Sequence, residues 1–240
     1  MTSPPPSLPE RLQRLRADVS VLAGTSSERT VRPLREAVDA VARGGPADLL
    51  DAVEGLTALL ARAEGQLSRL ERSVRDDLDR AATLSTVRTS AQLASAADVA
   101  TAGAAASALL LDADEARAAA ALHDPAAALT LLLEADAVLD TVVTGYREPR
   151  AQAERQLLLF EASRTAARLG ADAAALLGRI HGDRVTAAPR ILAEETVDRL
   201  DSLARLAATD PATALEQARE AVDRGRSALD ETLVDLDAVG

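Results

Sequence analysis

Seven apolar residues, Val53, Leu56, Leu60, Ala63, Leu67, Leu70 and Val74, follow one another at alternating spacings of three and four. On an α-helix that alternation puts every member on one stripe, whereas a β-strand, with its period of two, would scatter them over both faces. Leu49 extends the row backward, and Arg, Glu and Asp fill the outer positions. The row is a heptad-like seam on a long helix, and a second helix must cover it.

What can cover the seam follows from the kinds of apolar residue available. The chain has 240 residues, 48% of them hydrophobic, yet only 1% aromatic: Tyr146 and Phe160, with no Trp. The core must therefore be built from Ala, Leu and Val, which suits closely packed helices better than a sheet. An all-α chain is expected, an elongated set of antiparallel helical hairpins forming a coiled-coil-like bundle of six or seven helices with one unusually long pair.

Local signals divide it. The lead-in "TSPPPS" points to a disordered start over residues 1–7. Leu8, Leu12, Leu15, Val19 and Leu22 form one stripe on a short helix that stops near Gly24. Ser26 and Ser27 offer an N-cap for the next helix, which Pro33 should restart or kink before Gly44-Gly45. The seam weakens beyond Asp77, and residues 81–122 turn to Ala, Ser and Thr, with a break expected near Gly103. Further helices are expected at 125–143, 150–180, 189–208 and 211–236, separated by "YREPR", "HGDR" and a Thr-Asp-Pro turn. Residues 8–145 and 146–240 are expected as an N-terminal and a C-terminal helical unit.

Pro46, Pro125 and Pro211 each follow a Gly or Asp, and each has leucine four residues later: Leu50, Leu129 and Leu215. Three related hairpins would produce this pattern. So would cap chemistry alone, since Asp followed by Pro is how an alanine-rich helix starts after a tight turn.

The stretch around the last copy, "GDRVTAAPRILAEETVDRLDSLARLAATDPATALEQAREAVDRG", resembles the helical C-terminal region of actinobacterial TPM-domain proteins. Gly182, Val185, Arg190, Leu192, Ala193 and Glu194 match the first part of that pattern, and Asp210, Pro211, Ala212, Ala214 and Leu215 the second. Pro189 and Glu195 depart from it. The likeness spans residues 182–225 and implies a helical module; the TPM domain itself has no counterpart in the chain, so no chemistry comes with it.

Composition and motifs bear on function mainly by exclusion. Formal net charge is −11, and all 27 basic residues are Arg. Such a chain repels phosphate and has no aromatic platform for bases, so nucleic acid is not an expected partner. The absence of Lys fits either a high-GC genome or avoidance of lysine modification. With no Cys there is no thiol chemistry, and no signal segment or run of 18 uncharged apolar residues is evident, which suggests a cytoplasmic protein. His123 and His181 both stand at helix ends and lack metal-ligand spacing. Asp76-Asp77, Asp112-Asp114-Glu115 and Glu194-Glu195 read as solvated faces, and Arg147, Arg150 and Arg155 as a charged turn. No nucleotide-binding or nucleophile-elbow pattern occurs, so no catalytic residue, cofactor or metal is expected.

A non-enzymatic scaffold or adaptor, acting through a protein partner or self-association, is the reading this supports. Its expected surface is the seam of Val53, Leu56, Leu60, Leu67, Leu70 and Val74, with the small-residue face of residues 91–108. A peripheral membrane-remodelling protein is the first alternative, inserting the stripe Leu8, Leu12, Leu15, Val19 and Leu22. A small-ligand-binding bundle is the second, supported by a polar cavity among the helices and opposed by a dry core of Ala and Leu.

Overall fold

Side-chain capping accounts for half of the helix starts. The structure, a computed structural model, describes residues 6–86, 95–118 and 123–238. Among these it contains eight helices: α1 (Leu8–Ala23), α2 (Glu28–Ala42), α3 (Leu49–Thr86), α4 (Ala96–Arg117), α5 (Pro125–Val143), α6 (Pro149–His181), α7 (Ala187–Leu206) and α8 (Pro211–Ala238). Ser27, Ser95, Asp124 and Asp210 cap α2, α4, α5 and α8, each side chain accepting a backbone N–H of the first turn. The chain is all-α, a helical bundle. The expected disorder of residues 1–7 falls largely on 1–5, outside the described residues, as do 91–94 of the small-residue face.

Several expected boundaries moved. Pro33 lies inside α2, and one helix runs through it. α4 likewise runs through Gly103, where an added Cβ would meet nothing within 4 Å. Pro125 and Pro211 occupy the first position of α5 and α8, but Pro46 stands three residues before α3. Gly44, at φ 93°, makes a left-handed turn there, and Leu49 N–H returns to the Pro46 carbonyl at 3.3 Å. The first of the three proline-led starts therefore has a different geometry from the other two.

Ion pairs give the helix directions. Arg75–Asp114 and Arg117–Glu71 run α4 antiparallel to α3. Arg179–Asp48 at one end and Arg155–Asp77 at the other run α6 antiparallel to α3. Arg168–Asp201 joins α6 to α7, and Arg199–Glu220 joins α7 to α8, at the registers of successive antiparallel hairpins. The two longest helices, α3 and α6, pack on one another. At about 1.5 Å per residue the 38 residues of α3 span about 57 Å. α6 also touches α2, α5, α7 and α8, so it is the second axis of the bundle. One buried cluster runs from Leu15 to Leu236 and crosses the junction at residues 145–146 without interruption.

The tightest packing is between α6 and α8. A Cβ on Gly170 would lie 2.3 Å from the Gly225 carbonyl oxygen, and one on Gly225 would lie 2.2 Å from that of Ala167. Only glycine permits so close a crossing of two backbones. Residues 182–225, the stretch with the family likeness, form the turn after α6, all of α7 and the first half of α8.

Candidate functional site

The seam is covered from within the chain. Val53, Leu56, Leu60, Leu67, Leu70 and Val74 are all buried in the bundle's own core. The stripe on α1 also faces inward: Leu15 and Val19 are buried, Leu12 and Leu22 are half-buried against the core, and Leu8 is exposed. α4 turns Val99, Ala102, Ala106, Leu110 and Ala113 inward against α3 and α5, while Leu111 stays 66% exposed. Among the described residues α4 alone is long and apolar enough, by length and composition, to cross a membrane, and most of it lies at the surface.

Continuing the seam past Val74 leads to a charged centre. Asp77 comes three residues after Val74 and four before the buried Ala81, so it occupies a core position; Asp76 beside it is exposed. The reading of both as a solvated face is corrected for Asp77. On α5 the row Leu129, Leu132, Asp136, Leu139, Val143 likewise places Asp136 inside, and on α6 Arg155 precedes Leu159 on the buried face. The "YREPR" turn is corrected in the same way. The side chain of Arg147 is 3% exposed and that of Arg155 6%, while Arg150 points to solvent and pairs with Glu154 at 3.0 Å.

These groups form one network. Arg147 is a fork between Asp77, which accepts from its Nε and Nη2, and Asp140, which accepts from Nη1 at 2.5 Å. Arg155 grips Asp136 with Nε, at 2.9 Å, and with Nη2, and reaches Asp140 at 3.0 Å. Arg80 closes on Asp77 at 2.8 Å, and Arg219 of α8 approaches Asp136 at 3.4 Å. Burial pushes the Asp136 carboxyl up to about 6 against the pull of Arg155. Asp140 is less buried; despite that burial, Arg147 and Arg155 hold it below the usual carboxylate range. The cluster ties α3, α5, α6 and α8 together. Its guanidinium groups already face carboxylates, so the turn is a structural clasp and not an anion site.

Both histidines are interhelix links. His123 Nε2 meets Glu64 of α3, and its backbone pairs with the α1–α2 turn: its N–H donates to Thr25 O at 3.1 Å and its carbonyl accepts from Ser27 N–H at 3.0 Å. His181 Nε2 meets Glu36 of α2. Although burial opposes ionisation of Glu36, His181 and Arg32 hold it below the usual carboxylate range. Among the described residues no group of three or more His, Asp and Glu is placed to hold a metal ion.

A cavity of about 190 Å³ with a mainly apolar lining lies where α2, α3, α5, α6 and α8 meet, and a second, of about 250 Å³ and lined mainly by polar side chains such as Arg62, Arg164, Arg168 and Asp172, lies between α3 and α6. α5 and α8 flank α6, and the face of α6 at the first cavity carries Ala166 and Ala173, whose methyl groups are too small to fill it. Leu56 and Leu60 of the seam, Leu131 of α5, Leu169 of α6 and Leu229 of α8 complete an apolar wall. Arg29, Asp124, Glu134 and Arg226 also line it. It is thus neither the polar cavity nor the fully dry core set out as alternatives above. The cavity escaped the sequence reading because an Ala-rich helix face looks the same whether a neighbour closes on it or not. No protein-family model, curated protein or solved structure matches this chain.

Proposed function

We propose that this protein is a non-enzymatic binding bundle that holds a small, largely apolar molecule between α5 and α8. The cavity carries this reading: its volume exceeds the roughly 150 Å³ of engineered apolar cavities that take up benzene. Its aliphatic walls supply affinity through burial, and the charged residues at its edge supply orientation. Nothing in the wall is arranged as nucleophile and base, so the bound molecule would be held and released, not transformed. Filling the space with Ala173→Leu should abolish uptake of small aliphatic and aromatic probes measured by calorimetry. Unchanged uptake in a folded Ala173→Leu variant would locate binding elsewhere and remove the proposal.

A scaffold or adaptor role through self-association is a second reading, supported by the outward flank of α4. This is the one described helix long and apolar enough, by length and composition, to cross a membrane, and little of it is covered. Light scattering over a range of concentration tests it: mass that rises with concentration supports it, and a constant monomer mass removes it.

A further inference from the structure

Most polar side chains in the cavity wall have partners within the protein. Arg29 is held by Asp230 at 2.7 Å, and Arg226 shares the same carboxylate at 3.7 Å. The Thr30 hydroxyl lies 3.1 Å from that of Ser27, and the Thr130 hydroxyl donates to the Ala126 carbonyl at 2.9 Å. Asp124 commits Oδ1 to two backbone N–H groups at the start of α5. Glu134, exposed at the edge of the cavity, has no ion pair among the described residues. With Asp230 counted, three carboxylates stand against the two arginines, so the balance of charge that meets a ligand is negative.

Resting on the binding reading above, we infer that the ligand is a small lipophilic cation: a short aliphatic or aromatic amine. Its apolar body lies against Leu60, Leu131, Leu169 and Ala173, and its ammonium sits at the cavity edge against Glu134. The formal net charge of −11 works in the same direction, raising the local concentration of cations around the whole molecule. An anionic amphiphile would find only Arg226 loosely held, at 3.7 Å from Asp230, and would bring its own charge beside Glu134 and Asp124.

Hexylamine, hexan-1-ol and hexanoate share one chain and differ in charge, so their affinities for the intact protein, read by calorimetry at low salt, test the inference. The amine should bind about two- to five-fold more tightly than the alcohol, the effect of one partly exposed charge pair, and the carboxylate more weakly than either. Added salt should narrow the gap. Glu134→Gln, an exposed substitution that leaves the core untouched, should bring the amine down to the level of the alcohol. Equal affinities, or a preference for hexanoate, would overturn the cation inference while leaving the cavity as a binding site. Binding of none of the three at millimolar concentration would overturn both.

Discussion

Gly170 and Gly225 meet where α6 crosses α8, and a Cβ on Gly170 would lie 2.3 Å from the Gly225 carbonyl oxygen and 2.5 Å from its carbon. The obstacle is backbone, which cannot swing aside as a side chain can. Gly170→Ala or Gly225→Ala must therefore separate the two helices, at a cost of about 1–3 kcal/mol or somewhat more. Gly103→Ala in α4, where the same test finds open space, should instead stabilise by up to about 1 kcal/mol through helix propensity. Urea unfolding of the three variants checks this, and a neutral Gly225→Ala would show that the crossing is looser than described.

The clasp at Asp136 and Arg155 should respond asymmetrically to substitution. Arg155→Met alone leaves the Asp136 carboxylate, at 0% exposure, with the single weak contact of Arg219 at 3.4 Å, and should destabilise by about 3–5 kcal/mol. Replacing both partners, Asp136→Leu with Arg155→Met, removes the stranded charge and should recover much of that loss. Unfolding midpoints for the two singles and the double form a cycle. Losses that simply add would mean that the pair is not coupled.

Asp136 should also leave a signature in the pH dependence of stability. Its carboxyl is raised to about 6 in the fold against 3.8 for the free side chain, so folding takes up a proton between those values. Its contribution is fully present below the lower value and is lost as pH rises through the upper one. Relative to Asp136→Asn, the wild type should gain stability on going from about pH 7 to about pH 4, by no more than about 3 kcal/mol. Asp140 and Glu36, both lowered, act in the opposite sense: their contribution is present above the ordinary carboxylate range and lost as pH falls below it. A difference between wild type and Asp136→Asn that is flat across the window would contradict the raised value.

Asp124 caps α5 through two N–H groups, those of Ala126 at 3.1 Å and Ala127 at 3.0 Å. Asp124→Ala should cost about 1 kcal/mol. Because the neighbouring His123 backbone pins the α1–α2 turn, hydrogen exchange at Ser27 should quicken in the same variant. Unaltered exchange there would mean that the two turns are held independently.

Read as a periodic pattern, the chain by itself determined that it is helical, that Val53 to Val74 forms a buried stripe, and that Asp124-Pro125 and Asp210-Pro211 start helices. These features are local: residue spacing, capping oxygens and proline geometry act within one or two turns, so they are legible in a single segment. Asp77, Asp136 and Arg155 were legible in part, because each falls on the buried row of its own helix. An acidic residue on such a row is ambiguous until its cation is known, and apart from Arg80 the cations lie 19 to 83 residues away in the chain. Which helix covers the seam, how near α8 can come to α6 at Gly225, and whether the small side chains of α6 are closed over or left as a cavity were decided only by tertiary structure. Each depends on the distance between two helix axes, and that distance is set by side chains from segments far apart in sequence, packed together at once.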